Sequence, residues 1–429
     1  MSRWRATASL IRACAGVAVL AALAVVAGRP DLLVLASPLL LHALAALRGR
    51  PTSEPVVRPL LGTETLREGE GTTTGVELTP AAEVEQVVLA ARPHRWMAAR
   101  PPAGVVARHV RPDERVARVQ LPVATLRWGR RDVGDGLVGA VSRWSGFEWG
   151  PVAVPSRPVT TLPVPGPFES RTATPHPVGL VGVDPARRRG DGYEFESIRP
   201  FHPGDRLRRV QWRVSLRTGA LHVTSTQAEE DSSILLVLDS GVEVGASGGV
   251  HGAASSLDVA VRAAGAIAEH YLGRGDRVGL RVLGSTSRTV VPASAGRLQL
   301  RRVLETLARV VPGENRDLDP ERMRFDVRAG TVVLVFSPML SQVSVSATTK
   351  LASRGLDVVV VDCLPERVDH RSGDADVATA WRMRVLERRA LLERAERHGI
   401  AVVPWRGPGT LDEVLRRLRR RRPTAAGRR

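Results

Sequence analysis

From residue 234 to the end of the chain, short apolar runs alternate with segments of helical period, and this alternation limits the fold more than any other feature. Ile234-Leu235-Leu236-Val237-Leu238, Val332-Val333-Leu334-Val335-Phe336 and Val358-Val359-Val360-Val361 contain no polar position. A strand with one wet face alternates, whereas a continuous apolar strand is covered on both faces. Between such runs, residues 255–272 place Leu257, Val261, Ala264, Ile267, Ala268 and Tyr271 at helical spacing. The predicted order is strand 234–239, helix 255–272, strand 277–283, helix 298–310 and strand 331–336. Helix 344–353, strand 357–363, helix 375–398, strand 400–403 and a last helix from Thr410 follow, the last opened by the capping box Thr410-Leu411-Asp412-Glu413. This pattern predicts an α/β domain with a doubly wound, mostly parallel sheet whose ligands sit at the carboxyl ends of the strands. Asp239 ends the first strand, where that geometry alone places a site.

The N-terminus carries two apolar runs, about 10–27 and 32–47, separated by Gly28-Arg29-Pro30-Asp31. Each approaches the roughly 20 residues that cross a bilayer. Val25-Val26-Ala27 resembles a cleavage site after a leader, but the second run directly behind it favours a transmembrane helical hairpin over residues 1–50. Arg3, Arg5 and Arg12 precede the hairpin, Arg48, Arg50 and Arg58 follow it, and the turn holds only Arg29. The positive-inside rule then puts both termini and the soluble domains in the cytoplasm. His42, in the second run, is either a functional polar group or a tolerated residue near the interface.

Residues 58–165 read as short strands punctuated by Pro, Gly and Asp, with no helical period, which predicts a small β-sandwich. Trp128, Trp144 and Trp149 are expected as its large core or edge residues. Residues 166–190, rich in Pro and Thr, read as an extended linker, followed by the α/β unit over 191–422 and a basic tail over 423–429.

Several chemistries are excluded. Lys350 is the only lysine and no glycine loop precedes it, so neither a P-loop nor a pyridoxal Schiff base is available. No Gly-x-Ser-x-Gly elbow or His-Glu-x-x-His helix occurs, and the ten histidines are scattered. Cys14 and Cys363, one in each half, supply neither a disulfide framework nor a thiolate zinc site. The net charge of +18 rests almost wholly on arginine spread along the chain, with one dense run, Arg416-Arg417-Leu418-Arg419-Arg420-Arg421-Arg422. That run suits anionic headgroups or a solvated helix end; a nucleic-acid reading lacks accompanying aromatics. The expectation is a protein that is not an enzyme.

A signature remains: Gly190-Asp191-Gly192-Tyr193-Glu194-Phe195-Glu196-Ser197-Ile198-Arg199-Pro200-Phe201-His202-Pro203-Gly204-Asp205, then Arg206, Arg209, Trp212, Arg213 and Arg217, then the strand ending at Asp239. Over roughly 175–312 it resembles the domain-of-unknown-function 58 family, bacterial membrane-anchored proteins associated with MoxR-type AAA+ ATPases and built on a von Willebrand factor A-like domain. The resemblance implies such a domain here and an ATPase partner acting on a protein complex. Similar domains commonly hold Mg²⁺ or Ca²⁺ through an Asp-x-Ser-x-Ser loop with a Thr and an Asp from later loops, hard oxygen donors suited to those cations. Here the loop reads Asp239-Ser240-Gly241-Val242-Glu243, and Ser337-Pro338-Met339 stands where the later Asp belongs. Asp239 and Glu243 are the remaining candidate ligands of a degenerate site, and the expected cofactor is none.

Within the signature, Glu194, Phe195 and Arg199 lie on an alternating strand, and Pro203-Gly204-Asp205 is a turn whose Asp caps a short helix. Arg209 and Arg213 are one helical turn apart, with Trp212 between them and Arg217 beyond; Gln211 departs from the acidic residue or Asn expected there from the family. One reading is a docking surface for an acidic partner. The other, which we expect, is an internal ion-pair lattice with Glu194, Glu196 and Asp205 that orients Trp212 onto the sheet. The function expected is a membrane-anchored adaptor for a protein partner, the alternatives being a metal-dependent adhesion module and a membrane-tethered nucleic-acid binder.

Overall fold

The computed structural model describes residues 4–164, 195–201, 207, 210–226, 233–284, 289–313, 325, 327, 331–366, 368, 375–407, 409–410 and 412. The 166–190 linker and the arginine run near the C-terminus lie outside these residues. The chain forms two compact units, Met1–Val164 with Ser247–Ala254 and Leu307–Arg309, and Pro165–Ala246 with Ser255–Thr306 and Val310–Arg429.

The first unit opens with a short strand, β1 (Arg5–Ala6), and two helices, α1 (Ala8–Val26) and α2 (Asp31–Arg48). Thr7 caps α1, its Oγ1 accepting from the Leu10 amide at 3.3 Å. Gly28 breaks the helix at φ +61°, a left-handed turn that favours glycine. At 19 and 18 residues both helices are long and apolar enough to cross a membrane, and only 17% of each apolar window is buried. A core helix of a soluble protein would be mostly covered; here Ile11, Val19, Leu23, Leu33, Val34 and Leu41 face outward.

Beyond the hairpin come β2 (Val56–Leu61), β3 (Thr65–Arg67), β4 (Gly71–Thr79), β5 (Val84–Pro93), β6 (Met97–Ala99), β7 (Val105–His109), β8 (Ala117–Thr125), β9 (Gly129–Asp132), β10 (Gly134–Ser142), β11 (Phe147–Val154) and β12 (Pro158–Leu162). They form an antiparallel sheet β1-β11-β10-β5-β7, a second β2-β4-β8-β6, and a small sheet β3-β12-β9. On β8, Ala117, Val119, Leu121 and Val123 are buried in alternation, the period-2 signature of a strand with one covered face. They share one core with Val84, Val87 and Leu89 of β5, Val138 and Ala140 of β10, and Trp149. Trp128 is also buried, whereas Trp144 is 60% exposed. Glu83 ties the chain leaving α2 to this unit, accepting from the amides and hydroxyls of both Thr52 and Ser53. Partial burial alone would raise its pKa, but these donors hold it below the ordinary carboxylate value.

The second unit contains β13 (Phe195–Pro200), α3 (Trp212–Thr218) and β14 (His222–Thr226), with β13 and β14 antiparallel. It continues with β15 (Ser233–Asp239), α4 (Ser256–Gly273), β16 (Arg277–Leu283), β17 (Val290–Ser294), α5 (Arg297–Ala308), β18 (Val332–Ser337), α6 (Gln342–Ser353), β19 (Asp357–Asp362), α7 (Ala375–Arg397) and β20 (Ala401–Pro404). Six of these strands make one sheet, β17-β16-β15-β18-β19-β20. Four of its five pairings are parallel. β17 adds an antiparallel edge that the sequence pattern does not signal. Pro292 within β17 is tolerated because an edge strand leaves one row of amides unpaired. The molecule is thus a mixed α/β protein with two apolar N-terminal helices; outside the six-stranded sheet its strands pair antiparallel, except for β3 with β12.

All six residues of β18 are buried, as are Leu236, Val237, Leu238 and Asp239 of β15, so both faces of the sheet centre are covered. One face packs Val237, Val333, Val335, Val358 and Val360 against Ala347 and Leu351 of α6 and the partly buried Leu392 and Ala395 of α7. α4 is buried along most of its length, with Leu257, Val261, Ala264, Ile267, Ala268 and Tyr271 all inaccessible. Its N-terminus carries a full capping box, the Ser255 hydroxyl accepting from the Asp258 amide and the Asp258 carboxylate from the Ser255 amide.

Candidate functional site

The strand order reverses beside β15, because β16 and β17 extend the sheet on one side and β18 to β20 on the other. In open α/β sheets a crevice forms at such a reversal, outside the carboxyl ends of the strands. Asp239 is the last residue of β15 and is 1% exposed. A buried carboxylate needs donors for its lone pairs, and this one has them. Its Oδ1 accepts from the Gly241 amide at 3.0 Å, and its Oδ2 accepts from the Ser337 hydroxyl at 2.7 Å and also from the Ser344 hydroxyl. Ser337 ends β18, the neighbouring strand, and Ser344 lies in the first turn of α6.

The loops around Asp239 are fastened in the same way. The Ser240 amide and hydroxyl both donate to the Leu283 carbonyl, at 2.8 and 2.9 Å. Gly284, at φ +95°, is packed so tightly that a Cβ there would lie 2.4 Å from the Gly241 nitrogen, so glycine is required. Glu243 accepts from the Ser255 hydroxyl at 2.6 Å, and the Ser256 hydroxyl accepts from the Val244 amide at 2.8 Å, joining the 240–244 loop to the start of α4. After β18, Met339 is buried at φ +52°, a strained conformation for a non-glycine residue, with its amide donating to the Ser337 hydroxyl at 2.8 Å. α7 clamps this loop: Arg388 Nε donates to the Pro338 carbonyl at 2.6 Å and Arg384 Nη2 to the Leu340 carbonyl at 2.6 Å. Arg388 also pairs with Asp362 at 2.5 Å, both side chains being largely buried. Burial, with Asp362 and Asp239 nearby, pushes the Cys363 thiol well above its ordinary pKa, so it stays protonated and is no nucleophile at neutral pH.

Asp239 and Glu243, the candidate cation ligands, both accept side-chain hydroxyls here: Ser337 and Ser344 on Asp239 Oδ2, and Ser255 on Glu243 Oε1. Among the described residues no group of three His, Cys, Asp or Glu side chains is placed to hold a metal. Ser337 and Ser344 were not singled out in the sequence. A buried carboxylate at a strand end implies donors nearby, and Ser337 is the polar residue at the end of an otherwise apolar strand.

The signature residues lie elsewhere. Glu194, Pro203, Gly204, Asp205 and Arg209 fall outside the described residues; Phe195 and Arg199 lie on β13, with only their backbone described. Trp212, Arg213 and Arg217 lie on α3, and their placement corrects the expectation of a tryptophan locked onto the sheet. Trp212 is 62% exposed and Leu216, one helical turn on, 83%. Arg213 and Arg217 are exposed beside them, also one turn apart. α3 is a single short helix tied to β14. The Ser215 hydroxyl donates to the Gln211 carbonyl and accepts from the His222 amide at 2.8 Å. Val210 and Val223 are the apolar residues buried there, so Trp212 is left outward.

Comparison with known proteins agrees with the sequence resemblance. Uncharacterized proteins of Mycobacterium tuberculosis and Mycobacterium bovis are 33% identical over 121 residues, 28% of this chain and 37% of theirs. The matched stretch therefore spans little more than a third of those relatives. Among solved structures, the cupredoxin domain of amoB from Nitrosocaldus yellowstonii covers 28% of this chain and 95% of its own, at 10% identity and a TM-score of 0.16, too low to bear on fold or function. Residues 197–382, from β13 into α7, match the family described as protein of unknown function DUF58.

Proposed function

We propose that this protein is a membrane-anchored adaptor without enzymatic activity, in which a von Willebrand factor A-like domain presents a docking surface to a protein partner. By family resemblance that partner is a MoxR-type AAA+ ATPase engaged in assembly or maturation of a protein complex. The observation that carries the reading is the exposed Trp212–Leu216 stripe of α3 flanked by Arg213 and Arg217 within the family segment. Large exposed apolar residues beside arginine are the composition of interaction hot spots, and arginine favours an acidic partner. The parallel pairings and reversing strand order of the six-stranded sheet support the von Willebrand factor A-like architecture. The hydroxyls that occupy Asp239 support an adaptor over a metal-dependent module. The arginine excess at both ends of the hairpin supports a cytoplasmic placement, where such an ATPase is available.

The test is affinity recovery from membranes with the full-length, detergent-solubilised protein and a Trp212→Ala, Leu216→Ala double variant. We expect the wild type to recover a AAA+ ATPase and the variant to lose it at unchanged thermal stability. No ATPase with the wild type, or equal recovery by the variant, refutes the reading.

A further inference from the structure

We propose that the turn at Arg143–Ser145 is a second membrane contact, with Trp144 seated in the interface of an anionic phospholipid bilayer. The inference rests on reading the α1–α2 hairpin as membrane-spanning. Two consecutive residues of this turn, Trp144 and Ser145, stand at φ +59° and +49°. Bulky residues avoid this region, so surrounding contacts must hold the turn in place.

Those contacts come from the root of the hairpin. The Ser145 carbonyl accepts from the Thr7 hydroxyl at 2.6 Å and the Gly146 carbonyl from the Thr7 amide at 3.0 Å, where Thr7 is the N-cap of α1. Gly146 lies against the last turns of α2, since a Cβ there would come within 2.7 Å of the Ala46 Cβ. Phe147 is buried with Leu10, Ala43 and Ala46. On the other side the Ser145 amide donates to Glu85, and Arg143 donates to the carbonyls of Ala82 and Pro112. The turn is therefore fixed to both helices at the level where they leave the membrane.

Held this way, Trp144 projects outward at 60% exposure beside the ends of two apolar helices. Tryptophan with one apolar face and one N–H donor concentrates at the headgroup boundary of membrane proteins. Arg5, Arg48 and Arg50 are exposed around the same root, and cations near a membrane surface favour anionic lipid. A flexible tether would leave the sandwich free to tumble; an interfacial tryptophan on a strained, fixed turn sets its orientation against the bilayer.

The full-length chain, reconstituted in vesicles with Cys14→Ser, is labelled with an environment-sensitive fluorophore at Trp144→Cys, Leu23→Cys or Leu137→Cys. Cys363 is buried and stays unlabelled. Leu23 lies within α1 and Leu137 is an exposed residue of β10, away from the turn. Nitroxide lipids with shallow or deep spin labels report depth. The expected result is quenching by acyl-chain labels at 23, shallow quenching with a blue shift at 144, and none at 137, with the signal at 144 stronger in phosphatidylglycerol than in phosphatidylcholine. Quenching at 23 without any at 144 overturns the inference and leaves the spanning hairpin intact. Absence of quenching at 23 removes the hairpin reading itself. A signal at 144 indifferent to lipid charge overturns the anionic assignment.

Discussion

At the scale of single residues, Asp239 is a buried carboxylate whose lone pairs are met by hydroxyls and a backbone amide. Two hydroxyls, from Ser337 and Ser344, complete its hydrogen bonds in a fully buried setting. Removing one should expose the cost of an under-satisfied buried acceptor, about 1–3 kcal/mol. Ser344→Ala is expected to lower unfolding free energy by that amount in denaturant titration, with the fold retained. Calorimetric titration of the wild type with Mg²⁺ or Ca²⁺ should show no tight site. One that disappears in Asp239→Ala would show instead that the serines yield to a cation. The partners of Asp239 are 98 and 105 residues away in sequence, so only the metal ligands expected by resemblance were open to inspection beforehand.

At the scale of elements, the chain separates into those fixed by their own pattern and those placed by neighbours. α4 and β16 follow the sequence closely: the predicted strand 277–283 is β16, and every predicted apolar position of α4 is buried. Continuous apolar runs and a 3.6-residue period are local signals that a covered sheet must satisfy. α3 behaves differently. Its sequence, with Trp212 amid arginines, is equally compatible with packing inward or facing water, and in the fold Trp212 faces outward. Stability should divide accordingly. Ile267→Ala, in the buried face of α4, is expected to cost about 2–5 kcal/mol through lost transfer energy and a cavity. Trp212→Ala, at an exposed position, should fall within about 0.5 kcal/mol of wild type. Thermal or denaturant unfolding of the two variants measures the contrast; a large loss for Trp212→Ala would restore the packed reading.

At the scale of the whole molecule, the arginine asymmetry around the hairpin predicts that everything after Arg48 is cytoplasmic. A reporter active only outside the cytoplasm, fused after Arg429, should stay silent, while a cytoplasm-active reporter at the same point should work. The opposite pair of results would reverse the orientation and remove access to a cytoplasmic ATPase. What the sequence determined by itself was periodic: two apolar helices of spanning length, the strand-and-helix alternation after residue 233, and an aspartate at the end of the first strand. Each depends only on residues a few positions apart, the range over which pattern controls backbone choice. The tertiary structure decided everything that joins distant segments. It paired β1 with β11, so the N-terminus enters the sheet next to the hairpin root. It added β17 at the edge despite its proline, brought Ser337 and Ser344 to Asp239, and turned Trp144 and Trp212 outward. Those outcomes depend on which surfaces meet after the chain folds back, and side chains far apart in sequence carry no local mark of their future neighbours.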